Sequence, residues 1–175
     1  STQGVSSAAS DVYKRQMGYY KTAKICLNGH LISSNIENHS ADYPFCTSCG
    51  SKTITICQNC QAPIHGYYHV EGVISFGETT VPAFCHNCGE PYPWTKTFLE
   101  TAEDMVDMFD ELTPEQKLQL KETFPDLIVE TPKSKLAALQ ASKLINGFQS
   151  AGKDIFISML KEKVIDSLFL LMHLN

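Results

Sequence analysis

Seven cysteines constrain this chain more than any other feature, because six of them form three CxxC pairs between residues 46 and 88. They are Cys26, Cys46, Cys49, Cys57, Cys60, Cys85 and Cys88. Two cysteines at this spacing in a tight turn place two thiolates along one edge of a metal tetrahedron. An odd number of cysteines in such close pairs indicates metal binding in a reducing compartment rather than a disulfide framework. We therefore expect a zinc protein in the cytoplasm.

A histidine completes the number of ligands that two zinc ions need. The segment Cys26-Leu27-Asn28-Gly29-His30 offers this histidine four residues after the first cysteine, across a glycine that permits a tight loop. The predicted ligands are Cys26, His30, Cys46, Cys49, Cys57, Cys60, Cys85 and Cys88. Eight ligands fill two tetrahedral sites and leave no open position, which favours two structural zinc ions over a catalytic one.

An internal repeat suggests how the ligands are shared. Residues 45–50 and 84–89 both read FCxxCG, and each follows a looser pair, Cys26 with His30 or Cys57 with Cys60. The repeat favours a sequential arrangement, with the first four ligands on one ion and the last four on the other. A cross-braced arrangement, in which Cys26 and His30 join Cys57 and Cys60, is the alternative and uses the same eight residues.

The remaining histidines and the single tryptophan are expected to have structural roles. His39, His65 and His69 fall between the ligand pairs, and His86 lies inside a knuckle, so we interpret them as surface or supporting side chains. Trp94 follows the last ligands and is predicted to pack between the ribbon and the first helix. The alternative is an exposed aromatic hot spot for a partner.

The fold class predicted is α+β, with a small β-rich double zinc ribbon followed by helices. Residues 1–16 resemble a translated sequencing-adapter artefact, residues 17–96 form the predicted double zinc-ribbon domain, and residues 97–175 form the predicted helical domain. The first predicted helix has its apolar face on Leu99, Met105, Val106, Met108 and Phe109.

Further helix signals follow in the second half. Thr113-Pro114-Glu115-Gln116 predicts an N-cap, a first-turn proline and a capping box, with a short helix to about residue 123. Thr131-Pro132 predicts a second such start, for a helix that runs through Leu136, Leu139, Leu144 and Ile145 to Gly147. The last predicted helix spans about 152–171, with Phe156, Met159, Leu160, Val164, Leu168 and Met172 on its buried face.

Charge and motifs separate the classes of function. From Met17 to Lys96 there are four lysines, five acidic residues and no arginine, so the basic surface that nucleic-acid binding requires is weak. The sequence shows no HExxH, phosphate loop or nucleophile elbow, and no transmembrane segment. We therefore predict a protein-binding adaptor that is not an enzyme. Nucleic-acid binding, common among zinc ribbons, is the alternative.

Several of these segments together resemble a known bacterial family. They are Cys26-x-Asn28-Gly29-His30, the two FCxxCG knuckles, the Cys57 pair, Tyr92-Pro93-Trp94-Thr95 and Thr131-Pro132-Lys133-Ser134. The chain from Met17 onward is similar to a family of uncharacterised bacterial proteins, a domain of unknown function. The resemblance implies a zinc ribbon with a helical tail, and it implies no activity.

Overall fold

The computed structural model describes residues 18–38, 43–73, 79–147, 152–161 and 164. The predicted leader at residues 1–16 lies outside these ranges. The chain divides into two compact units between Thr95 and Lys96, which we call the ribbon unit and the helical unit. Small antiparallel sheets occupy the former and helices the latter, which confirms the predicted α+β class.

Five short strands build the ribbon unit: β1 Tyr19–Thr22, β2 Lys24–Cys26, β3 Leu31–Ser33, β4 Thr53–Ile54 and β5 His65–His69. Strand β2 lies between β3 and β4 in one antiparallel sheet, while β1 pairs with β5 in the other. A 3-10 turn spans Ile36–Asn38. The strands have only two to five residues, so this unit has little sheet of its own with which to build a core.

The core of the ribbon unit is assembled around cysteines. Ile25, Ile64, Tyr92 and Trp94 are buried together with Cys57 and Cys85. Trp94 is only 4% exposed, its indole stacks on Tyr92 at 4.8 Å, and its N–H donates to the carbonyl of Pro82 at 2.9 Å. The prediction that Trp94 packs against the ribbon is therefore confirmed, and the alternative of an exposed aromatic hot spot is wrong.

Five α-helices follow in the described residues: α1 Pro93–Asp107, α2 Pro114–Lys121, α3 Phe124–Leu127, α4 Ser134–Ile145 and α5 Lys153–Lys161. The predicted start of α2 is confirmed. The Gln116 amide donates to the Thr113 hydroxyl at 3.3 Å, and the Thr113 amide donates to the Gln116 side chain at 2.9 Å. This reciprocal pair is the capping box, with Pro114 in the first turn.

The start predicted for α4 is wrong by two residues. The Thr131 hydroxyl accepts from the Lys133 amide at 3.2 Å, and the Thr131 amide donates to the Ser134 hydroxyl at 2.8 Å. These local bonds hold residues 131–133 in a turn, so the helix begins at Ser134 instead of Pro132. It ends at Ile145, and Gly147 does not take the left-handed conformation of a terminating glycine. Helix α3 was not predicted.

Small residues form much of the core of the helical unit. Helix α4 buries Ala137, Ala138, Ala141 and Ile145, whereas Leu136 and Leu139 are 59% and 48% exposed. Met108 lies just past the end of α1 and is 79% exposed, so its predicted place on the apolar face of this helix is wrong. Phe156, Leu160 and Val164 are buried as predicted, while Leu168 and Met172 lie outside the described residues.

No helix within the described ranges is long and apolar enough to cross a membrane.

Candidate metal centres

Four of the predicted ligands converge at the end of β2. We call Cys26, His30, Cys46 and Cys49 the first cluster. The His30 Nδ1 lies 3.5 Å from the Cys26 Sγ and 3.6 Å from the Cys46 Sγ, and the Cys26 and Cys49 Sγ atoms are 3.8 Å apart. All four ligand atoms lie within 4.8 Å of one another. The sulfurs and the ring nitrogen therefore face a common centre.

The other four predicted ligands form the second cluster, which consists of Cys57, Cys60, Cys85 and Cys88. The Cys57 and Cys88 sulfurs are 3.8 Å apart, and the Cys60 and Cys85 sulfurs are 3.6 Å apart. These four sulfurs also lie within 4.8 Å of one another. The CxxC pairs at 57–60 and 85–88 thus face each other across one centre.

The size of both clusters fits a metal ion held by four ligands. In a tetrahedron with zinc-type bond lengths, the edge between two sulfurs is about 3.8 Å and the edge between sulfur and nitrogen about 3.6 Å. The five separations given above run from 3.5 to 3.8 Å, and no separation within a cluster exceeds 4.8 Å. Each cluster could therefore hold one metal ion, and the ligands are grouped sequentially. The cross-braced grouping does not occur.

The three CxxC turns share one backbone geometry. The residue after the second cysteine donates its amide to the carbonyl of the first, at 2.8 Å for Gly50, 3.0 Å for Gln61 and 2.9 Å for Gly89. All three take a positive φ, of 72°, 63° and 75° in that order. The Cys57 pair is therefore a third knuckle, with glutamine in the left-handed position. The FCxxCG repeat did not include this pair, because residue 61 is glutamine where the other two knuckles have glycine.

The turn from Cys26 to His30 is of a different kind. The Cys26 amide donates to the His30 carbonyl at 3.0 Å, and the His30 amide points at the Cys26 Sγ at 3.3 Å. Gly29 has a φ of 87°, and a Cβ at this position would lie 3.0 Å from the Trp94 Cβ. Glycine thus permits both the turn and its close approach to Trp94.

Asparagine amides donate to the sulfurs in both clusters. The Asn28 side chain lies 3.5 Å from the Cys49 Sγ and 2.8 Å from the Ser51 hydroxyl. In the second cluster the donation is reciprocal, since Asn87 donates to Cys60 and Asn59 donates to Cys88. These supporting residues were not predicted from the sequence, although the motif CxNC, shared by residues 57–60 and 85–88, indicates Asn59 and Asn87. Such donors orient and stabilise metal-bound thiolates.

Hydrogen bonds also favour the thiolate form that a metal requires. The backbone amide and hydroxyl of Ser51 lower the pKa of Cys49 to about 6. Burial acts to raise the pKa of Cys85, but the backbone amides of Cys88 and Asn87 outweigh it and bring the pKa to about 6. Burial raises the pKa of Cys26, and the pKa of Cys88 is raised to about 11, so each cluster combines thiols of lowered and of raised pKa.

The two clusters differ in their surroundings. In the first cluster Cys26 and Cys46 are buried while His30 and Cys49 are exposed. In the second, Cys57 and Cys85 are buried in the hydrophobic core, and Cys60 and Cys88 are half-buried against it. Tyr92, only 1% exposed, also hydrogen-bonds the Cys85 sulfur, and burial raises the pKa of its phenol.

Neither cluster includes the histidines at 65, 69 and 86. The His65 ring stacks between His86 at 3.7 Å and Tyr20 at 4.1 Å, and His69 packs edge-on against Tyr19. We call Tyr20, His65, Tyr68 and His86 the aromatic surface of the ribbon unit. His39 lies outside the described residues.

Comparisons with known proteins identify a family and give no activity. A family model described as "Uncharacterized protein conserved in bacteria (DUF2321)" matches residues 19–168. Neither a curated protein nor a solved structure matches the chain.

Proposed function

The chain belongs to this family of uncharacterized bacterial proteins, and we propose that it is a zinc-binding adaptor whose two metal centres are structural. In this proposal the metal ions hold the ribbon unit together and its surface binds another protein. The observation that carries it is the completeness of both clusters, since each supplies four ligand atoms within 4.8 Å.

Zinc is the ion that best suits these ligands. Thiolates and imidazole are soft or borderline ligands, and the edges of 3.5 to 3.8 Å match a small tetrahedral ion. Structural zinc sites use these two combinations, three cysteines with one histidine and four cysteines. Thiolate ligands persist in a reducing compartment, so we propose the cytoplasm as the location.

Closed coordination favours binding over catalysis. A catalytic zinc keeps one position for water or substrate, whereas four protein ligands fill the tetrahedron. The chain's own residues would then hold and shield the metal, with the asparagine amides and Tyr92 directed at sulfur. We propose on this ground that the protein is not an enzyme.

The aromatic surface supports a protein partner. Tyr20 and Tyr68 are 51% and 48% exposed on a two-stranded sheet. Tyrosine is enriched among the residues that dominate the energetics of protein interfaces, because it offers a large and rigid contact area. Tyr20 and Tyr68 face each other in register with their rings 4.9 Å apart, which gives a continuous patch.

Single-stranded nucleic acid is the second candidate, because exposed rings can stack on bases. The lysines of the ribbon unit argue against it. Lys21 is ion-paired with Glu37, and Lys24 is only 8% exposed. Lys52 is exposed, but a single accessible lysine among the described residues of this unit gives little release of phosphate counterions to drive binding.

A matched pair of variants tests the adaptor proposal. We expect Tyr20→Ala with Tyr68→Ala to abolish capture of the protein partner by the intact chain. Tyr43→Ala should leave capture unchanged, because Tyr43 is equally exposed in the same unit at 53% and lies outside the aromatic surface. Equal capture by the unmodified chain, the double variant and Tyr43→Ala would refute the proposal that the aromatic surface binds the partner. Salt-dependent binding of single-stranded oligonucleotide, lost in the double variant, would favour the second candidate.

A further inference from the structure

We propose that the first cluster is an oxidation site, at which a hydroperoxide converts Cys49 and Cys26 to a disulfide and releases the bound metal while the second cluster keeps its own. The inference rests on the proposed zinc occupancy of both clusters. It adds a chemical reactivity that the structural role does not require.

Exposure of the attacking atom is the first argument. Cys49 is the exposed cysteine of the chain, whereas the other six are buried or half-buried. A peroxide must contact sulfur along the line of its O–O bond, so reaction at a buried sulfur needs an opening of the fold. Cys49 is therefore the cysteine that a peroxide reaches with the least opening of the fold.

A resolving thiol lies beside it. The Cys26 Sγ is 3.8 Å from the Cys49 Sγ, so the two atoms need to approach by about 1.8 Å to reach the length of a disulfide bond. Cys26 is fully buried, and the peroxide therefore does not compete for it. This difference in exposure assigns Cys49 as the attacking residue and Cys26 as the resolving residue.

The chemistry balances with a hydroperoxide as the only oxidant. The Cys49 thiolate attacks one peroxide oxygen, the O–O bond breaks, and the leaving oxygen departs as hydroxide, which takes a proton to become water. Cys49 is then a sulfenic acid. The Cys26 thiolate attacks its sulfur, the S–S bond forms, and the S–O bond breaks to release a second hydroxide, which also becomes water. Two electrons from sulfur reduce the peroxide, and two of the four ligands are lost.

The charge of the metal-bound clusters alone would favour oxidation of the second cluster. Four thiolates around a dication leave two negative charges, whereas three thiolates and an imidazole leave one, so the sulfurs of the second cluster are intrinsically more nucleophilic. Access outweighs this, because no cysteine of the second cluster is exposed: Cys57 and Cys85 are buried in the hydrophobic core, and Cys60 and Cys88 are half-buried against it.

The test uses the intact chain loaded with zinc and treated with hydrogen peroxide in the presence of a chromophoric zinc indicator. We expect one zinc ion per chain to be released at least about tenfold faster than the second. Peptide mass spectrometry should find the disulfide between Cys26 and Cys49, with the cysteines of the second cluster still reduced.

Two histidine variants supply the matched comparison. Cys49→His leaves a two-cysteine, two-histidine zinc site without the exposed thiol, so we expect two bound zinc ions and loss of the rapid release. Cys88→His makes the equivalent change in the second cluster and should release one zinc ion as the unmodified chain does. If either variant fails to bind two ions, disulfide mapping of the unmodified chain still decides.

The outcomes separate this inference from the proposed function. Two bound zinc ions released at equal rates, or a first disulfide within the second cluster, would overturn the oxidation site and leave the structural role standing. Failure of the untreated chain to bind two zinc ions would overturn the proposed function itself.

Discussion

The first cluster lies at the surface and the second lies in the core, although both have ligands at nearly the same spacing. His30 and Cys49 are exposed, whereas Cys57 and Cys85 pack with Ile25, Ile64 and Trp94. The comparison teaches that one ligand pattern can serve two purposes. In the proposed function, a metal ion in the second cluster would supplement a small hydrophobic core, and one in the first would fix a loop while leaving two ligand residues accessible.

The largest expected effect follows from removing a buried ligand. Metal binding contributes about 10 kcal/mol or more to the folding of small zinc domains, so Cys85→Ser should unfold the ribbon unit. We expect loss of the near-ultraviolet signal of Trp94, which belongs to that core. Cys49→Ser is the matched change in the first cluster and should retain this signal while losing one zinc ion.

The opposite outcome would break the comparison. Suppose that Cys49→Ser unfolded the ribbon unit as completely as Cys85→Ser. The two clusters would then contribute equally to the stability of this unit, whatever their difference in burial.

Chelator competition should show the next largest difference. Since two ligands of the first cluster are exposed, a chelator can reach its metal without prior opening of the fold. We expect stopped-flow measurements with a zinc indicator to show two phases, separated by about tenfold or more in rate. A single phase that accounts for both ions would contradict the assignment of an accessible and a protected site.

A smaller effect is expected at the phenol that supports the second cluster. Tyr92→Phe removes the hydroxyl that hydrogen-bonds Cys85 and should weaken zinc affinity at the second cluster by about tenfold. Competition titration with a calibrated chelator measures this change. Tyr43→Phe removes an exposed phenol from the same unit and should have no effect. Equal weakening in both variants would show that the hydroxyl of Tyr92 does not support the metal.

The smallest expected effect concerns the third knuckle. Gln61 has a φ of 63°, a conformation that glycine adopts without steric cost, so Gln61→Gly should stabilise the ribbon unit by about 0.5 kcal/mol. Gly89→Gln makes the reverse change at the matching position and should destabilise it by about 1 kcal/mol. Chemical denaturation of the zinc-loaded chain measures both. Destabilisation by Gln61→Gly would mean that the Gln61 side chain contributes more than its backbone strain costs.

The sequence predicts the clusters better than their surroundings, because cysteine spacing is a local property. The eight residues and their sequential grouping could be read from the CxxC pairs and the repeat. The difference in burial could not, since it depends on which apolar residues, such as Ile25 on β2 and Ile64, share a core with Cys57 and Cys85. The positive φ of Gln61 could not be predicted either, because glutamine rarely adopts this backbone conformation.

The helical unit shows the same limit. The capping box at Thr113 was predictable because its hydrogen bonds are local. On α4, by contrast, alanines are buried and Leu136 is exposed. Which face a helix buries depends on its neighbours in the fold. Apolar spacing alone therefore misplaced Met108, and it did not predict that Leu136 and Leu139 are exposed.

The central claim is that two closed tetrahedral zinc centres use all seven cysteines and His30. X-ray absorption at the zinc edge of the fully loaded chain tests this most directly, because it counts sulfur and lighter ligands around the metal. We predict seven sulfur ligands and one nitrogen ligand shared between two ions, at distances of about 2.3 Å and about 2.0 Å. A lower sulfur count, with oxygen ligands from water in its place, would contradict the account.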